Sequence, residues 1–197
     1  MRWDETRRGE TFYKKAKELG YRSRAAFKLL EIQEKFHIIK QGNCILDLGA
    51  APGSWSQIAL NLVGGKGTVV GNDIQPVVGL GDKYQFLRGD ILKESVFERI
   101  AKLGLDFDVV LSDTAPDTSG FKDVDIGVAC LLAHSSLEIA RKFLRPGGNF
   151  ACKIFQGKGF DEFLKEVKKN FRRVEIFKPR SSQKNSAEIF VLGLSKL

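Results

Sequence analysis

The stretch Cys44 to Gln57, CILDLGAAPGSWSQ, restricts the chain more than any other, because it joins an apolar β-prone run to a glycine turn and then to a helix. Ile45 and Leu46 supply the buried strand, Gly49 and Gly53 supply a turn free of Cβ clashes, and Ser54 sits where an N-cap belongs. In an α/β sheet such a junction is where the polar end of a ligand meets backbone N–H groups. The motif alone is also compatible with an ordinary strand-to-helix turn.

The elements around it alternate. Strands are expected at Thr68 to Gly71, Tyr84 to Leu87, Phe107 to Ser112, Asn149 to Phe155, Arg172 to Phe177 and Ala187 to Leu194. Helices are expected at Thr11 to Leu19, over RAAFKLLEIQEKF after Ser23, from Ser54 to about Leu62, from Lys93 to Leu103, from Ile126 to Leu144 and from Phe160 to Lys169. TAPDTSGFKDVD is expected as a loop, and Pro146-Gly147-Gly148 as the stop of the long helix. Alternation at this spacing predicts an α/β fold, a doubly wound and mostly parallel seven-stranded sheet with helices on both faces. The short connection between the last two strands predicts an antiparallel hairpin at one edge.

At 197 residues and 43% hydrophobic content the chain is expected to form a single domain, 1–197, with residues 1–20 as a basic N-terminal arm. Its longest apolar runs are far too short to span a bilayer, and its N-terminus is too charged for a signal peptide, so a cytoplasmic protein is expected. Cys44, Cys130 and Cys152 are odd in number, widely spaced and embedded in apolar sequence, which suits buried small residues. His37 and His134 stand apart from each other and from any ligand-spaced cysteine or carboxylate, so no metal is expected.

The formal charge of +8 is unevenly spread. Residues 1–40 hold eleven Lys/Arg against six Asp/Glu and residues 165–184 hold eight against two, leaving the rest of the chain net negative. Two basic terminal segments around an acidic centre point to a polyanionic partner, with solvated helix faces as the plainer alternative.

The glycine turn, Gly49-Ala50-Ala51-Pro52-Gly53, does not match the dinucleotide fingerprint, and the chain has no triphosphate loop. Asp73, some 25 residues downstream, is placed to accept hydrogen bonds from ribose hydroxyls, and Asp90 from an adenine amino group. S-adenosylmethionine meets those requirements, with Gly49, Ala50, Pro52, Gly53, Asp73, Asp90 and Asp113 as the expected cofactor contacts. Trp55 fits either a cofactor contact or the core.

DLGAAPGSWSQ, with YRSRAAFKLLEIQ before it, SDTAPDTSG in the middle and KIFQGKGFDEFL later, resembles the FtsJ/RrmJ family of ribosomal RNA ribose 2′-O-methyltransferases over about Tyr21 to Leu194. Ser54 stands where bacterial members have glycine. The resemblance implies a Rossmann-like class I methyltransferase fold and a catalytic set of Lys28, Asp113, Lys153 and Glu188. In that set Lys153 is the implied general base, with its pKa lowered by partial burial and by the charge of Lys28. Asp113 is implied to hold the Lys153 amine toward the hydroxyl, and Lys28 and Glu188 to orient the ribose or its phosphate.

Independently of the resemblance, Asp113 follows the carboxyl end of a strand, Lys153 lies inside the apolar run NFACKIF, and Glu188 begins EIFVLGL. Charged groups tied to apolar strands make sense if they converge and compensate one another. A 2′-hydroxyl implies RNA. The basic residues expected to grip its phosphates are Arg7, Arg8, Lys14, Lys15, Lys17, Arg22 and Arg24 on one side, and Lys168, Lys169, Arg172, Arg173, Lys178, Arg180 and Lys184 on the other. The resemblance points first to a uridine in the A loop of large-subunit rRNA, acted on within the large ribosomal subunit by a monomer. The alternatives are a tRNA anticodon loop, a non-catalytic ribosome-assembly factor, and a small-molecule methyltransferase.

Overall fold

The structure, a computed structural model, describes residues 11–116, 119–183 and 186–197. Arg7, Arg8 and Lys184 of the expected phosphate grip lie outside them, as do residues 117–118 of the loop after Asp113.

A helix over residues 11–18 (α1) precedes α2 (Ala26–Phe36), β1 (Cys44–Leu48), α3 (Ser54–Val63), β2 (Thr68–Asp73), β3 (Tyr84–Arg88), α4 (Glu94–Ala101) and β4 (Phe107–Ser112). Then come α5 (Lys122–Phe143), β5 (Leu144–Phe155), α6 (Phe160–Asn170), β6 (Phe171–Phe177) and β7 (Glu188–Lys196). The seven strands form one sheet in the order β3-β2-β1-β4-β5-β7-β6. β1 to β5 pair in parallel, while β7 runs antiparallel to both β5 and β6. The expected edge hairpin is present, and its antiparallel strand is not the edge itself: β7 is inserted between β5 and β6.

Pleating sends alternate strand residues to opposite faces. Leu46, Leu48, Val70, Val110, Phe150 and Cys152 meet α4, α5 and α6 on one face, and Ile45, Val69, Val109, Leu111 and Ala151 meet α2 and α3 on the other. Every residue of both sets is at most 1% exposed, so the near-continuous apolar strands reflect a sheet covered on both sides. Asp47, Lys153, Glu188 and Phe190 follow the parity of the α2/α3 face, which is why the charged residues of three strands collect there.

Several boundaries differ from expectation for identifiable reasons. α5 begins at Lys122, inside the expected loop, with Asp123 and Asp125 in its first turn where carboxylates complement the helix dipole. Asp125 Oδ1 also accepts from the backbone N–H of Ser119 at 2.9 Å. Pro146-Gly147-Gly148 does not sit outside a strand: β5 starts at Leu144 and passes through it, with a register shift against β4 between Phe107 and Val109. The true stop of α5 is a cap from across the sheet, where Lys196 Nζ donates to the carbonyls of Ala140, Arg141 and Leu144 at 3.2, 2.5 and 2.5 Å.

Of the cysteines only Cys152 is fully buried, while Cys44 and Cys130 are half-buried, and none is bridged. His37 closes α2 in a left-handed conformation, its backbone N–H donating to Gln33, and His134 packs edge-on against Phe163. Among the described residues no helix is long and apolar enough to cross a membrane, and no three His, Cys, Asp or Glu side chains gather as a metal site.

Candidate active site

A cavity of about 530 Å³ opens at the carboxyl ends of β1, β2 and β4, the edge at which open α/β sheets place ligands. Gly49, Pro52, Asp73, Asp90 and Asp113 line it, as expected from sequence; Asn72, Gln75 and Thr114 line it as well. The signal for the added residues was proximity alone, since each lies within two residues of a predicted strand-end acid in the chain.

The glycine turn contributes shape and not the free N–H groups anticipated from its pattern. The amides of Gly49 and Ala50 donate to the Asn72 carbonyl at 2.9 and 3.1 Å, that of Ala51 to Asp73 Oδ2 at 2.9 Å, and that of Gly53 to the Ala50 carbonyl at 2.6 Å. Pro52, joined to Ala51 by a cis peptide bond, has none to give. At Gly49, with φ +72°, an added Cβ would lie 2.8 Å from Thr114 Cγ2 and 2.9 Å from its Cα, so only glycine lets β1 pass this close to the loop after β4. Gly53, at φ 102°, is itself the N-cap of α3. Ser54 is therefore not the cap; it is the first helical residue, and its hydroxyl hydrogen-bonds Ser23 at 2.7 Å.

Asp73 Oδ1 accepts from the Gln75 amide at 2.8 Å and Asp90 Oδ1 from the Leu92 amide at 3.0 Å, which fixes both carboxylates while leaving lone pairs for a ligand. Three carboxylates line the cavity, and among the described residues no lysine or arginine does. With the turn amides also spent, the cavity is built for a ligand with hydroxyls and positive charge and not for a phosphate. S-adenosylmethionine, a nucleoside carrying a sulfonium and an ammonium, fits that donor set.

Ala50 is buried beneath the turn at 3% exposure, and Gly53 packs between Val77 and Arg22. Trp55 is absent from the cavity wall: at 3% exposure it stacks on Phe190, ring centroids 5.5 Å apart, and its indole N–H donates to the Ala25 carbonyl at 2.9 Å. It is a core residue on the α2/α3 face.

Lys28, Asp113, Lys153 and Glu188 come together beside the cavity. Asp113 follows β4, Lys153 sits in the neighbouring β5, and Glu188 opens β7 next to that, so three adjacent strands deliver them in a row. α2 lays Lys28 over the row. Lys153 Nζ lies 3.0 Å from Asp113 Oδ1 and donates to the Asp113 carbonyl at 2.7 Å. Lys28 Nζ lies 2.8 Å from the Glu188 carboxylate and 3.5 Å from Asp113 Oδ1, above the Phe190 ring at 5.7 Å. Side-chain exposures of 7 to 14% across the four make these desolvated ion pairs, each charge depending on its partners.

Burial is the largest single influence on Lys28 and acts to lower it. The carboxylates of Asp113 and Glu188 together outweigh burial and hold the ammonium above its ordinary 10.5. Lys28 is therefore a fixed cation in this cluster and not a snorkelling surface lysine.

Two supporting residues were not apparent in the sequence. Ser182 Oγ donates to Glu188 Oε1 at 2.7 Å. Glu31, one turn after Lys28 on α2, accepts from the amides of Arg180 and Ser181 at 2.6 and 2.9 Å and so fastens the loop that carries Ser182. Beneath the cavity Asp47 is wholly buried; Ser56 Oγ donates to its Oδ2 at 2.6 Å, and Oδ1 has no partner among the described residues. Burial pushes this carboxyl up to about 7, against the opposing hydrogen bond from Ser56 and with further upward pressure from Asp113 and Asp73.

The basic residues assigned to phosphate contacts divide. Lys169 and Arg173 pair with Glu166 and Glu175 on their own elements, and Lys178 Nζ donates to the Ser186 carbonyl. Arg22, although exposed, donates to the carbonyls of Pro52, Val78 and Gly79.

The model of the family described as FtsJ-like methyltransferase matches residues 21–196. An Acinetobacter baumannii protein named ribosomal RNA large subunit methyltransferase E is 48% identical over 193 residues, 97% of this chain and 89% of that one. Among solved structures, a Plasmodium falciparum protein described as a ribosomal RNA methyltransferase superposes with a TM-score of 0.78 at 28% identity, covering 90% of this chain and 99% of that one. Aeropyrum pernix fibrillarin, solved with natively bound S-adenosyl-L-methionine, superposes at 0.62 with 20% identity over 88% and 75% of the two chains, a likeness of fold. Match length, identity and topology agree: the chain belongs to the FtsJ-like methyltransferase family.

Proposed function

We propose that this enzyme methylates a ribose 2′-hydroxyl of large-subunit ribosomal RNA, at a uridine of the A loop. It is a methyltransferase, and its methyl donor is S-adenosylmethionine. The observation that carries the reading is the Lys153–Asp113 contact pair, in which Asp113 both lines the donor cavity and holds the lysine.

The donor supplies a methyl group on a sulfonium, already a good leaving group, so the protein's task is the weakly acidic hydroxyl. A neutral lysine amine has two N–H bonds and one lone pair. The Asp113 carbonyl and carboxylate oxygens can accept both N–H bonds of Lys153, which leaves the lone pair for the hydroxyl proton. Once protonated, Lys153 is held as an ammonium by the same carboxylate. Lys28 stays cationic and, with Glu188, orients the ribose or its phosphate. The rRNA target is supported by the names of relatives about half identical to this chain and by the surplus of basic residues in its terminal segments.

The test is to incubate the protein with labelled S-adenosylmethionine and, separately, with rRNA, intact large subunits and total tRNA, then map the modified nucleotide. A 2′-O-methyluridine in the A loop is expected. Transfer only to tRNA would overturn the substrate, and transfer to none of the three would overturn the whole reading. In the same assay Lys153→Met is expected to lower the rate constant by about 10²–10⁴-fold, the range for losing a general base; near wild-type turnover would remove Lys153 from the mechanism.

A further inference from the structure

Residues 20–25, immediately before α2, are sewn to the glycine turn and α3. Gln57 Nε2 donates to the Gly20 carbonyl at 2.9 Å, and the Arg22 amide donates to Gln57 Oε1 at 3.3 Å. Ser23 and Ser54 share a hydrogen bond of 2.7 Å, and Trp55 reaches Ala25 at 2.9 Å. These contacts join one segment to one helix. The Arg22 guanidinium does something different, because it spans two separate loops: Nη1 donates to the Pro52 carbonyl at 3.0 Å, and Nη2 to those of Val78 and Gly79 at 2.6 and 3.0 Å.

Those two loops form one wall of the cavity, through Pro52 on one side and Ile74, Gln75 and Pro76 on the other. Asp73, at the end of β2, also bonds both, accepting from the Ala51 amide at 2.9 Å and the Gln75 amide at 2.8 Å, and Arg22 adds a second tie brought from a segment outside either loop. The planar fork is what allows it, since a guanidinium presents donors in fixed directions whereas an ammonium is a point charge on a flexible stem. The site is shaped for the fork: a Cβ on Gly53 would lie 3.0 Å from Arg22 Nη1, and one on Gly79 3.5 Å from Nη2.

We propose that Arg22 is a positioning residue for the methyl donor, clamping the turn after β1 to the loop after β2, and that it is not a contact for RNA phosphates. The inference rests on reading the cavity as the S-adenosylmethionine site. Its consequence is that the donor wall and the helix carrying Lys28 are held as one body, because the same six residues lead directly into α2.

The test uses the full-length protein with Arg22→Lys, which keeps the charge and loses the fork. S-adenosylmethionine binding by calorimetry is expected to weaken about tenfold, as pre-organisation of the wall is lost. The turnover number at saturating donor and the salt dependence of RNA binding are expected to stay within about twofold of wild type, because an unchanged charge leaves the counterion balance unchanged. Gln57→Ala, which cuts stitches between the same segments and spares the clamp, is expected to keep wild-type donor affinity. Donor affinity unchanged in Arg22→Lys, or reduced equally in Gln57→Ala, would overturn the proposal.

If Arg22→Lys does not fold, hydrogen exchange on the wild-type protein with S-adenosylhomocysteine decides. Protection is expected at residues 77–80 and 20–25 along with the turn, and its absence at both would overturn the clamp. Failure of the wild-type protein to bind the donor at all is a separate outcome, which would overturn the reading of the cavity.

Discussion

Trp55 separates two readings of the glycine turn, because the same residue is a cofactor contact on one and a beam of the core on the other. The structure gives it 3% exposure, a stack on Phe190 and one hydrogen bond to Ala25. Removing a buried aromatic side chain costs about 3–5 kcal/mol through lost burial and the cavity left behind. In a chain of 197 residues each kcal/mol corresponds to about 2–4 °C, so Trp55→Ala is expected to lower Tm by about 6–20 °C. Trp55→Phe keeps a ring but leaves the Ala25 carbonyl without its donor, a loss of about 1–3 kcal/mol and hence about 2–12 °C. Differential scanning calorimetry measures the shift, and titration calorimetry measures donor affinity in Trp55→Phe, which is expected to stay within about twofold of wild type because the indole is not on the cavity wall. A tenfold loss of donor affinity with Tm unchanged would refute the core assignment.

Three further outcomes follow from the same geometry. Asp47 has a folded-state pKa near 7 against an ordinary 3.8, so its contribution to stability is fully present below about pH 4 and is lost as pH rises through 7. Asp47→Asn removes that titration, and its urea midpoint relative to wild type is expected to be higher at pH 8 than at pH 5; a difference independent of pH would refute the shift. Arg24→Gln with Arg180→Gln is expected to reduce the slope of log K against log salt for RNA binding by about one for each phosphate contact removed, and an unchanged slope would take both out of the footprint. Lys196→Met uncaps three carbonyls at the end of α5 and is expected to lower Tm without altering turnover at saturating substrates, whereas an unchanged Tm would deny the cap.

Three of the four charged residues were legible because burial is costly for unpaired charge: a lysine inside NFACKIF and acids at the ends of apolar strands demand partners, and the strand order supplies them, whereas Lys28, on an amphipathic helix, was marked only by the family resemblance. The acids at 73 and 90 were legible for a similar reason, since a carboxylate ending an apolar strand stands at the ligand edge. Arg22 was not. Composition counts a guanidinium as a surface charge and carries no sign that three carbonyls from two distant loops converge on it. Trp55 was ambiguous because α3 has buried positions both toward the turn and toward α2, and helical periodicity cannot say which neighbour a first-turn side chain meets. The start of α5 was hidden by its polar first turn, where Lys122, Asp123 and Asp125 break the apolar period while the acids favour the helix N-terminus. The insertion of β7 between β5 and β6 is a tertiary choice that strand patterns do not encode.

That insertion is what makes the charged cluster possible. In the parallel strands the ligand edge is the carboxyl end, which places Asp113 just beyond β4 and Lys153 near the end of β5. A parallel neighbour would have to bring its own last residues to that edge. Because β7 runs the other way, its first residue lies there instead, with Glu188 opposite Phe155 and Phe190 opposite Lys153. The loop leading into β7 can then reach α2, and Glu31 holds it there while Ser182 braces Glu188. With all four groups ionised, two ammonium and two carboxylate groups sum to zero. A neutral Lys153, the form the proposed base needs, leaves the cluster one unit negative beside a cavity already lined by carboxylates. Such a field favours a cation in that cavity. The acidic centre between basic termini thus has a physical role: its carboxylates suit a positively charged donor and pair with the two lysines beside it.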